Sequence, residues 1–111
     1  MRKQLEDIVA RYARLKRLHV GILVFPGVEV PDFAGPFEVF SVASRVCTRD
    51  LGIEQPFGVA LIGAGRDAIQ ARHGMGIVPH HGFDDAPAVD LLIVPGGLMA
   101  QPLGCRTTRA I

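Results

Sequence analysis

Three short apolar runs, each closed by proline or glycine, constrain this chain more than any other feature. Residues 19–25 (HVGILVF) end at Pro26-Gly27, residues 57–62 (FGVALI) end at Gly63, and residues 89–94 (VDLLIV) end at Pro95-Gly96-Gly97. A strand covered on both faces reads as a nearly continuous apolar run, whereas a half-solvated strand alternates. All three runs are therefore expected to be buried strands. Between the first and the second, residues 28–31 read as a loop and Gly35-Pro36 sets up a helix, with proline in the first turn where its missing N–H costs nothing. Phe37, Val39, Phe40, Val42, Ala43 and Val46 give that helix a broad apolar side to lay on a sheet. Strands separated by a helix or a long excursion imply parallel pairing through crossover connections. The expected class is α/β, a parallel sheet flanked by helices.

The stretch between the second and third runs is broken by glycine. Residues 69–72 and 75–78 read as short β pieces, a hairpin or a sheet extension. Before the first run, Leu5, Ile8, Val9, Tyr12 and Leu15 recur at helical spacing, so residues 1–18 are expected to form an amphipathic helix. That segment holds six of the twelve Lys and Arg against two acids, which leaves the rest mildly acidic. Because the basic residues lie mostly between the apolar ones, they read as a solvated helix face rather than an arm for nucleic acid.

With 111 residues, 49% of them apolar, the chain is long enough for one domain with a core. The domain proper is expected over residues 19–97, followed by a divergent tail over 98–111. No apolar run nears the roughly 18 residues of a membrane span, and the start has neither the pattern of a secretory signal nor that of a transit peptide. A cytoplasmic setting follows, with Cys47 and Cys105 as reduced thiols rather than a disulfide framework.

Several motifs invite chemistry and lose it on context. Residues 63–68 (GAGRDA) match G-x-G-x-x-A after a strand, yet Gly74, Gly76 and Pro79 interrupt the long helix that a pyrophosphate site requires. His80 and His81 would point to opposite faces of a strand, and no Cys-x-x-Cys or His-x-x-x-His spacing supports them or His73 as ligands. No metal and no cofactor are expected. Asp32 and the Gly96-Gly97 pair are different. Both leave the carboxyl ends of expected parallel strands, where open α/β sheets bind ligands. There Asp32 would be a proton-handling group, and the free N–H groups of Gly96 and Gly97 would be anion stabilisers. The plainer reading, in which Asp32 caps the helix and the glycines turn the chain, stands beside it.

The segments LVFPG (23–27), DFAGPFEVF (32–40) and VDLLIVPGG (89–97), taken in order, resemble the opening of DJ-1/PfpI (ThiJ/PfpI) proteins of the class I glutamine amidotransferase-like superfamily. Asp-x-x-Gly-Pro at 32–36 is most similar to the isonitrile hydratase branch and to the domains that precede AraC-type DNA-binding domains. The resemblance implies a flavodoxin-like fold, usually dimeric, acting on a small molecule through a cysteine nucleophile on a strand-to-helix turn. It also implies that Asp32 works beside that thiol and that Gly96 and Gly97 wall the oxyanion. In a hydratase, the cysteine would attack the isonitrile carbon and water would complete an N-substituted formamide.

The chain departs from the pattern at Pro31, where an unconstrained apolar residue is usual, and after Gly97. The family's cysteine follows another crossover, which takes a dozen or more residues, but only seven separate Gly97 from Cys105. Cys105 is thus not expected to be the nucleophile, and Cys47 reads as a small packing residue. The resemblance therefore implies a fold truncated after the strand ending at Gly97 and inactive alone. The alternative is the ligand-sensing domain of an AraC-type transcription regulator, touching nucleic acid only through a DNA-binding part absent from this chain.

Overall fold

A computed structural model describes residues 2–7 and 17–98. Its elements are β1 (Leu18–Leu23), α1 (Val30–Leu51), β2 (Phe57–Ile62), β3 (Ile69–Gln70), a 3-10 turn (Arg72–Gly74), β4 (Gly76–Ile77) and β5 (Leu91–Ile93). Three strands form one sheet in the order β2-β1-β5, and β3 with β4 forms a separate two-stranded ribbon. The class is α/β with a parallel sheet, as the apolar runs require.

β1 is the centre of that sheet. It runs parallel to β2 with Leu18 opposite Phe57, and parallel to β5 with Val20 opposite Leu91. Val20, Ile22 and Val24 are all but sealed from solvent, which is why this run has no polar alternation. Gly21 has a packing reason of its own: a Cβ there would lie 2.8 Å from side-chain atoms of both Ile62 and Val89. The chain leaves β1 through α1 to reach β2 on one side, then returns past β1 to form β5 on the other. Strand order thus reverses at β1, and the crevice at the carboxyl ends of β1 and β5 is the topological switch point.

α1 begins earlier than the sequence reading placed it. Val30 is already helical, with Glu29 in the extended N-cap conformation and Pro31 within the first two positions, so the expected loop over 28–31 ends at Glu29. Pro31, not Pro36, is the proline whose missing N–H is harmless. Pro36 lies inside the helix and cannot donate to the carbonyl of Asp32 four residues back. The helix ends at Gly52, in the left-handed region at φ 68°, whose N–H closes on the carbonyl of Cys47. Phe33 is buried under it, Phe40 meets Phe57 edge-on at 5.3 Å, and Ser44 is 6% exposed against the start of β2. Among the described residues this helix is the one that covers the sheet.

The hairpin expected between the second and third runs is present as β3 and β4, antiparallel, with Ile69 opposite Ile77. The third run contributes less strand than expected, three residues, because the ladder with β1 extends only from Leu91 to Ile93. At the start, residues 2–7 are helical and exposed. Leu18 belongs to β1 rather than to a helix ending there, and Ile8, Val9, Tyr12 and Leu15 lie outside the described residues. So does the tail beyond Leu98, with Cys105. Among the described residues no helix is long and apolar enough to cross a membrane.

Candidate functional site

The loops leaving β1 and β5 are stitched together. The Glu29 N–H donates to the Gly96 carbonyl at 2.9 Å and the Leu98 N–H donates to the Gly27 carbonyl at 3.1 Å. These two bonds flank an antiparallel bridge between Val28 and Gly97, the close-approach pairing of an antiparallel ladder. Gly97 sits at φ 148°, and a Cβ on it would lie 2.5 Å from the Gly27 carbonyl oxygen and 2.9 Å from the Val28 Cα. Only glycine admits both that conformation and that approach.

Asp32 completes the contact from the first turn of α1. Its Oδ2 accepts the Gly96 N–H at 3.1 Å, and a Cβ on Gly96 would stand 3.1 Å from the same oxygen. α1 has no side-chain cap at its N-terminus, so the reading of Asp32 as a capping residue fails. Its carboxylate spans to the other loop instead, while its negative charge still sits favourably in the first helical turn. Oδ1 has no partner among the described residues and remains able to meet a ligand.

The expectation of two free N–H groups at the double glycine needs revision. The Gly96 N–H is occupied by Asp32, whereas the Gly97 N–H is not one of the bridge's donors and has no partner among the described residues. Among the described residues, one of the two glycine N–H groups, not both, is therefore available at this rim.

The β3–β4 ribbon supplies a third wall that sequence reasoning missed. The Gly27 N–H donates to the Gln70 carbonyl at 2.9 Å and the Arg72 N–H to the Val28 carbonyl at 2.9 Å. Arg72 Nη1 also lies 3.5 Å from Glu29 Oε2. The N-cap residue thus spends its side chain on the ribbon. No local pattern announces an ion pair between residues so far apart in sequence.

The remaining candidates disperse. Residues 63–68 lead into β3 rather than a helix. His80 Nδ1 accepts the Leu61 N–H at 2.8 Å while its ring stacks on Phe37 with centroids 5.8 Å apart. His81 faces Asp85 at 3.8 Å, and His73 adopts φ 67° in the 3-10 turn. Among the described residues no three His, Cys, Asp or Glu are grouped to hold a metal ion. Cys47 lies 15 residues along α1 from Asp32, about 22 Å of helix, and is remote from this rim.

No family model matches the chain. Among curated proteins, the chain is 29% identical over 86 residues to an isonitrile hydratase of Pseudomonas putida, a match covering 78% of this chain and 33% of that protein. The chain thus spans about a third of the length of that relative. Among solved structures, a ThiJ/PfpI family protein from Pseudomonas syringae superposes with a TM-score of 0.64 at 24% identity, over 85% of this chain and 36% of the other. A DJ-1 superfamily protein from Agrobacterium tumefaciens gives a TM-score of 0.50 at 17% identity, over 76% of this chain and 40% of the other. Both likenesses are of fold.

Proposed function

Taking the chain as a DJ-1/PfpI family member, an assignment that the hydratase likeness in sequence and the shared fold support, we propose that it carries the Asp32 side of an isonitrile hydratase-like site. The observation that carries this reading is the bond from the Gly96 N–H to Asp32 Oδ2. It fixes a carboxylate at the carboxyl edge of a parallel sheet, beside a donor that has no partner among the described residues.

The chemistry fits a small neutral substrate with a reactive carbon. Addition of a thiol to an isonitrile forms a C–S bond, and the proton goes to the same carbon, giving a thioformimidate. Water then adds to that carbon and the nitrogen takes a proton. The C–S bond breaks, leaving an N-substituted formamide and the thiol restored. Asp32 is the group that delivers and recovers the proton, and the Gly97 N–H steadies the oxygen as charge develops on it. The thiol is the part this chain is not proposed to supply. Cys47 is at the far end of α1, and Cys105 follows Gly97 too closely for a crossover strand. The 111 residues are accordingly proposed to bind the small molecule without turning it over, in a cytoplasmic setting where thiols stay reduced.

Two measurements test this. Titrating the purified chain with a simple alkyl isonitrile or its formamide, followed by amide NMR, should shift Gly96 and Gly97, and Asp32→Ala should abolish the effect. Shifts confined to another face would sink the placement. A hydration assay on the same chain should give no turnover above buffer, and turnover lost in Cys105→Ala would overturn the claim of inactivity.

A further inference from the structure

A second cleft lies at the opposite rim of the sheet, where β1 and β2 begin. It is an open cleft of about 450 Å³ between the second half of α1 and the first residues of β2, within the range of small-molecule sites. Three arginines face it. Arg45 and Arg49 stand one turn apart on α1, a like-charge spacing that is unfavourable unless an anion intervenes. Arg17 enters from just before β1, its Nε so near Gly58 that a Cβ there would be 2.9 Å away.

Only one of these charges is balanced. Arg49 binds Asp50 through two bonds of 2.7 and 3.1 Å, and that hydrogen bonding holds the Asp50 carboxyl below its usual range. Arg17 and Arg45 have no acidic partner among the described residues.

The wall between them is fixed. The Ser44 hydroxyl donates to the Phe57 carbonyl at 3.2 Å and accepts its N–H at 3.3 Å. The Thr48 hydroxyl is committed to the Ser44 and Ile53 carbonyls and to the Gln55 N–H. The Ser41 hydroxyl and the Gln55 side-chain amide are left without partners among the described residues, and Phe57 and Val59 form a half-buried apolar floor.

We propose that this cleft binds a phosphate-bearing small molecule, with the phosphate held between Arg17 and Arg45 and the organic part on Phe57 and Val59. Guanidinium groups match tetrahedral oxyanions in charge and in paired-donor geometry. A phosphate dianion carries the two charges that the unbalanced arginines call for. The apolar floor distinguishes an organic phosphate from the free ion. The inference stands apart from the Asp32 rim and does not depend on it.

The test is amide NMR of the full 111-residue chain titrated with inorganic phosphate and with phenyl phosphate, against sodium chloride at matched ionic strength. Both phosphates should give saturable shifts at Ser41, Arg45, Gln55 and Phe57, with phenyl phosphate the tighter. Arg17→Gln and Arg45→Gln, both exposed in the parent, should keep a dispersed spectrum and weaken phosphate about tenfold each, the scale of one charge-assisted contact. Arg2→Gln, an exposed charge that does not line the cleft, should change nothing. Chloride reproducing the shifts, Arg2→Gln weakening binding as much as the cleft variants, or absence of saturation would overturn the site. Equal affinity for the two phosphates would overturn the organic-phosphate assignment.

Discussion

A carboxylate in the first turn of a helix already sits in the positive field of unpaired amides, and Asp32 adds a bond to the Gly96 N–H across the rim. Removing it by Asp32→Ala is expected to lower stability by about 1 kcal/mol, the usual net worth of one hydrogen bond, read from the urea midpoint at unchanged slope. The neighbouring glycine is under a harder constraint. Gly97→Ala should cost about 2 kcal/mol or more, since the backbone is at φ 148° and the new methyl would meet the Gly27 carbonyl at 2.5 Å. Gly76→Ala, where nothing lies within 4 Å, should be neutral or stabilising by up to about 1 kcal/mol. If the two variants melt together, the close approach of the loops is wrong. At this scale sequence reading found the residues but not their bonds. That Asp32 and Gly96 lie at one sheet edge follows from strand pattern; that Asp32 stands in the first helical turn rather than in a loop does not. That one consumes the other's N–H depends on a side-chain rotamer that no spacing encodes, as does the Arg72 contact to Glu29.

Elements were legible in proportion to how much of their burial is written into a continuous run. β2 occupies residues 57–62 as its apolar string predicts, because it pairs with β1 along its whole length. β5 is shorter than its apolar string because a strand is bounded by its partner's ladder, not by its own hydrophobicity. α1 starts ahead of the turn that Gly35-Pro36 suggests for a physical reason: two prolines compete for the first turn, and tertiary contacts at Glu29 and Asp32 let Pro31 win while Pro36 is carried inside. The helix is fastened at its other half by Ser44, whose hydroxyl serves both backbone groups of Phe57. Ser44→Ala should therefore destabilise by about 1 to 3 kcal/mol, more than an exposed serine would, because its partners are part-buried. A urea series comparing Ser44→Ala with Ser41→Ala checks this, and equal midpoints would show that the anchor carries no weight.

Across the whole molecule, a central strand with neighbours on both sides and a reversal of strand order puts the switch point, where open α/β sheets bind ligands, at the meeting of Asp32 and Gly96. The same architecture exposes β5. Among the described residues it pairs with β1 alone, and Leu91, Leu92 and Val94 are each more than 40% exposed. An apolar edge strand with unpaired backbone groups is a template for association. The chain is expected to sediment as a dimer or larger species with rising concentration, and Leu92→Lys should shift it toward monomer. Concentration-independent monomers would mean that the edge is covered.

The account turns on the two loops meeting at the switch point, and the Gly96 amide reports on that contact directly. Followed by NMR hydrogen exchange, it should be protected in the parent chain and lose that protection severalfold in Asp32→Ala, which removes the acceptor. A Gly96 amide that exchanges freely in the parent, or as slowly in the variant, would place Asp32 elsewhere and contradict the shared rim.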